Sequence, residues 1–163
     1  MKNSLLGILL LGVVSLYAMN PVLPKRYRYI EIQEVFQQWR HEEPGQFIFG
    51  GGDFNADSLF DGVQLAVDVF SNEVALLVFL ANPDGRSFKW VELTSLPIES
   101  LRTTGIQVIK PMEVNYYTDR AQAAKSHIYL MTDSINLFES EGPASVYFWD
   151  FGQQRFQKLL VTK

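Results

Sequence analysis

The sequence predicts an α+β fold, with an amino-terminal helix packed on a mostly antiparallel β-sheet or sandwich. Three observations predict it. Ile32, Val35, Phe36 and Trp39 fall at helical spacing, with Glu31, Gln33, Gln37 and Arg40 between them. After Gly45 the chain is a series of short apolar runs separated by turn residues, the pattern of an antiparallel sheet or sandwich. One of those runs, "EVALLVFLA" at 73–81, is apolar on both faces and is expected to be central.

The elements follow in order. Residues 1–18 are set apart as an export signal: Lys2 supplies a basic start, and Leu5–Ala18 carries no charge but is too short to span a bilayer comfortably. The rival is an uncleaved amino-terminal anchor, which would be the chain's membrane contact. Residues 19–30, broken by Pro21 and Pro24, read as a linker. The single domain is then 31–163, beginning with a helix over Glu31–Arg40 that "HEEPG" ends.

The strands are expected at 46–49, 62–70, 73–81, 87–93, 104–110, 125–132, 134–140, 144–150 and 155–162. "NPDGR" between two apolar runs is the clearest hairpin signal, and "YYTDRAQAAK" at 116–125 reads as a helical turn or a loop. In "YFWD" Phe148 is expected in the core, with Tyr147 and Trp149 on the other side as sheet packing or as a face for a partner.

Composition narrows the function. The chain has 163 residues, 14 Lys+Arg, 18 Asp+Glu and no cysteine. Taking away 18 residues leaves 145 and removes only Lys2, so 13 basic residues face 18 acidic ones, a balance of −5. That balance argues against nucleic acid, which needs a basic face. An exported domain without disulfides must hold itself by packing, or by packing and a metal.

The stretch with the most chemistry is "GDFNADSLFDGVQLAVDVF". Asp53, Asn55, Asp57, Leu59 and Asp61 occupy positions one, three, five, seven and nine of a loop that enters a strand. Three carboxylates, the Asn55 amide oxygen and the Leu59 backbone carbonyl make an oxygen-only set, which suits calcium and not zinc or copper. Carboxylates crowded without a cation must splay or take up protons. The other readings are a polar turn, since Asp and Asn cap their own backbone, and a catalytic carboxylate cluster. Position six, where the sharp turn favours Gly, is Ser58. Gln64 at position twelve and the strand pattern that follows exclude an EF-hand.

The stretch resembles the calcium loop of FG-GAP repeats, the blade units of integrin-type β-propellers. By that resemblance Asp53, Asn55, Asp57 and Asp61 are metal ligands, and Leu59 is one through its carbonyl. A propeller needs several blades, and one motif occurs here. With the ending "ESEGPASVYFWDFGQQRFQKLLVTK", the chain is similar to small exported bacterial proteins that carry a single FG-GAP-like motif. The resemblance implies a class and not an activity.

No catalytic constellation is found. His41 and His127 have no metal-ligand spacing and read as a solvated helix end and a half-exposed strand residue. There is no G-x-S-x-G, and the glycines at 50–52 lack the Lys-Ser/Thr of a phosphate loop. Glu139 and Glu141 read as a solvated turn pair. The expected function is a non-enzymatic periplasmic or secreted domain with a structural calcium loop. The alternative is a periplasmic inhibitor or immunity protein that binds a secreted toxin or hydrolase, which would supply a protein partner.

Overall fold

The computed structural model describes residues 21–35, 39, 47–117 and 125–161. The expected export signal at 1–18 and His41 lie outside them. Of the described residues 56% lie in strands and 8% in helix. The predicted α+β class is therefore corrected: among the described residues two antiparallel sheets make the fold, and no amino-terminal helix packs on a sheet.

The first sheet contains β1 (Tyr27–Arg28), β2 (Phe49–Gly52), β3 (Asp61–Asp68), β4 (Glu73–Ala81) and β5 (Phe88–Pro97). β3, β4 and β5 run in sequence order, and β1 and β2 both pair with β3, at its opposite ends. The second contains β6 (Thr104–Ile109), β7 (Glu113–Tyr117), β8 (Lys125–Tyr129), β9 (Ser134–Glu139), β10 (Ala144–Asp150) and β11 (Arg155–Val161). Its order is β6-β9-β10-β11-β7-β8, so the β7–β8 hairpin lies on the far side of β11 from β9 and β10. β7 falls partly within the stretch expected to be a loop or helical turn.

One apolar core joins the sheets. Val63, Leu65 and Val67 of β3 and Val74, Leu76 and Val78 of β4 pack in one cluster with Ile106, Ile135, Leu137 and Tyr147 of the second sheet. Each such side chain, once buried, contributes about 1.5–3 kcal/mol. A smaller cluster covers the outer face of the first sheet, where Leu23 and Tyr27 lie over Ala66, Ala75, Leu77 and Phe79. That cover explains why β4 is buried on both faces.

Of the helix expected over 31–40, Ile32–Val35 form one described α-turn, α1, and Trp39 is described in a 3-10 conformation. The Glu34 carboxylate is held by Arg28 and by the Glu31 amide, and Val35 enters the core. One turn fixes more backbone than its hydrogen bonds repay, so packing decides its fate. Trp39 stacks on Phe47, meets Phe138 edge-on, and donates its indole N–H to the Arg102 carbonyl at 2.8 Å. The helical spacing of Val35 and Trp39 thus reflects two separate contacts with the β core.

The aromatic strand is also oriented opposite to expectation. Tyr147 is 3% exposed and lies in the core, and Trp149 meets Phe156 edge-on at 5.2 Å. Phe148, expected in the core, takes the other face of β10 and is half-buried. The strand's apolarity is uniform over these three residues, so alternation alone could not assign the inner face.

Candidate functional site

The loop Asp53–Phe60 joins β2 to β3, which pair antiparallel from Phe49↔Gln64 to Gly52↔Asp61. Its residues divide by direction. Phe54 is fully buried, meets Phe156 edge-on at 6.5 Å, and anchors the loop in the core. Its carbonyl accepts the Thr132 hydroxyl at 2.9 Å. Asp53 is partly exposed, as are Asn55 and Leu59, and Asp57 is exposed.

The backbone wraps around the Asp53 carboxylate, which accepts the amides of Asp57 at 3.2 Å and Ser58 at 3.0 Å. The Asn55 side-chain oxygen also accepts the Asp57 amide, and Asp57 accepts the Leu59 amide at 2.8 Å. Ala56 and Ser58 adopt the left-handed conformation, at φ 59° and 65°. Ser58 therefore makes the turn that Gly makes more cheaply. Each carboxylate oxygen that accepts one N–H retains a further lone pair.

Asp61 differs from the other acids. It is fully buried, and its two oxygens accept the Phe54 amide at 3.0 Å and the Ala81 amide at 2.9 Å. It ties the loop to the end of β4. Burial pushes its carboxyl up to about 6; the two amide bonds oppose this, and the charges of Asp57 and Asp53 add to it. A second acid, unnoticed in the sequence, supports the loop from the other sheet. The Asp133 carboxylate, 9% exposed, accepts the Asp53 amide at 3.2 Å and pairs with Lys110 at 2.8 Å. Its signal was weak, because "TDS" reads as an ordinary turn.

The glycine run is explained by close approach. A Cβ on Gly51 would lie 2.5 Å from the Phe60 ring, and one on Gly52 would lie 2.5 Å from Asp133 Oδ2. The structure thus brings four of the five predicted residues onto one turn, with the fifth, Asp61, beneath it at the start of β3. Among the described residues no three Asp, Glu or His side chains are already gathered as a metal-coordinating group.

The other singled-out residues stay apart from this loop. His127 is exposed on β8. Glu139 ends β9, and its carbonyl accepts the Gly142 amide at 3.3 Å, which closes the turn that contains Glu141. No protein-family model matches the chain, and neither a curated protein nor a solved structure matches it.

Proposed function

We propose that this protein is an exported, non-enzymatic β domain whose β2–β3 loop binds calcium as a structural ion. The observation that carries the reading is the wrap of the loop around Asp53, with Ser58 at φ 65° in the position where a calcium loop turns sharply. The donors are Asp53, Asn55, Asp57, the Leu59 carbonyl and, from below, Asp61. Burial raises the proton affinity of Asp61, the charges of Asp57 and Asp53 add to it, and a cation here would relieve that added repulsion. It would also clamp β2 to β3 in a chain without cysteine. Export is supported by the uncharged Leu5–Ala18 run behind Lys2.

Thermal melts with calcium and with chelator test the loop. At ten times a dissociation constant near 10⁻⁴ M, calcium stabilises by about 1.4 kcal/mol. That corresponds to a rise of roughly 3–6 °C in the midpoint for a domain of this size. Asp57→Ala, which removes an exposed donor, abolishes the rise. A midpoint indifferent to calcium in both proteins reduces the loop to a polar turn. Cell fractionation of the full chain tests export, and recovery in the cytoplasm at full length would refute it.

A further inference from the structure

We infer that the outer face of the first sheet rests on a phospholipid surface, as the second membrane contact of a chain that keeps its apolar Leu5–Ala18 run. Five exposed apolar side chains share this face. Val22 is 90% exposed, Phe60 64% and Phe49 62%, and Trp90 and Tyr29 are exposed as well. Contacts fix their placement. Phe60 lies over Gly51, whose strand partner is Gly62, and Gly62 pairs with Phe79 of the outer cluster. Phe49 stands two residues from Gly51 and so shares its side of β2. Trp90 is the strand partner of Phe79 and meets Tyr27 edge-on at 5.8 Å. Pro21 lies against Gly62 and accepts the Tyr29 hydroxyl through its carbonyl at 3.2 Å. With Val22, Phe79, Phe88 and Trp90 it walls an open hollow of about 340 Å³.

Exposed apolar side chains scattered singly call for no partner, but a group of them on one face marks an interaction surface. The connectivity of the chain selects the partner. The apolar run ends at Ala18, and Pro21, which belongs to this face, is three residues further on. Three residues reach at most about 10 Å. A membrane that takes up the run therefore lies within that distance of Pro21, beside the aromatic face. The run is shorter than the ~20 residues that span a bilayer, and a weak anchor holds stably only with a second contact. Trp90 and Tyr29 are the side-chain types that settle at headgroup level, and Phe49 and Phe60 supply apolar contact below it. Leu16 stands where export cleavage favours a small residue, which favours retention of the run. The inference rests on the export reading through that run alone, and calcium has no part in it.

The chain has no cysteine, so a spin label can be placed at one position at a time. The full chain is labelled in Phe49→Cys, in Phe60→Cys and, as a control on the exposed side of β8, in His127→Cys. Each is reconstituted in vesicles of phosphatidylcholine with phosphatidylglycerol. Dissolved oxygen reports access from lipid, and a nickel chelate reports access from water. The labels at 49 and 60 should lose most of their access to the chelate and gain access to oxygen relative to the label at 127. Labels at 49 and 60 as open to the chelate as that at 127 would overturn the inference. Exclusion of both reagents from 49 and 60 would overturn it too, because the face is then covered by the chain's own apolar run or by a second copy. Mass spectrometry of the protein recovered from the cell envelope should find residues 1–18 attached. An exported protein shortened by those residues overturns the inference and leaves the export reading standing.

Discussion

Two aspartates at opposite ends of β3 show how position decides what a carboxylate does. Asp68 is buried beside Arg26, which donates Nε–H to it at 2.6 Å, and it accepts the Phe70 amide at 2.9 Å in the following turn. The Arg26 bond holds its carboxyl at about 2, against an ordinary 3.8. Depression means that the folded state favours the ionised form. The stabilisation is complete above about pH 4 and is lost as pH falls through 2. Asp61, raised to about 6, acts in the opposite sense: its contribution is complete below its ordinary 3.8 and declines as pH rises to 6. Acid unfolding followed by circular dichroism should therefore steepen below pH 4, and Asp68→Asn should remove that component. Asp61→Ala should cost about 2–4 kcal/mol in urea melts, because it leaves the buried Phe54 amide and the half-buried Ala81 amide without their acceptor. A loss below about 0.5 kcal/mol would mean that water replaces the carboxylate.

At the scale of the element, the strands that alternate or stay uniformly apolar were legible. β4 and β10 occupy the predicted residues, and the β4–β5 hairpin turns through Gly85 at φ 63°. β2 was displaced: the expected strand at 46–49 becomes Phe49–Gly52, on the glycines themselves. Glycine is a poor strand former, so local preference points away from this assignment. Tertiary approach selects it, because Gly51 lies against Phe60 and Gly52 against Asp133. Gly52→Ala should then force Asp133 away from the Asp53 amide and cost about 1–3 kcal/mol. The same variant should weaken any calcium-induced rise in midpoint, since it loosens the start of the loop. An unchanged urea midpoint would show that Asp133 yields freely.

At the scale of the whole molecule, the strand order sets the folding problem. β6 must find β9 across the β7–β8 hairpin, and that hairpin must dock on β11, the last strand. Closure of such loops precedes the contacts that reward it, which slows folding. Stopped-flow refolding of the 163-residue chain should give a main phase in the millisecond-to-second range, as for other non-local β topologies. A microsecond phase carrying the full amplitude would contradict the topology.

Taken alone, the sequence determined where most strands lie, that β4 is central, and that an oxygen-rich loop enters β3. These are local matters, written in periodicity and turn chemistry. Only the tertiary structure decided that Val35 and Trp39 serve a β core and not a helix packed on a sheet. It also turned Tyr147 inward and Phe148 outward, and it brought Asp133 under a loop 80 residues away. The physical reason is common to all three. A short apolar segment carries no record of which surface will bury it, and that choice belongs to partners distant in the chain.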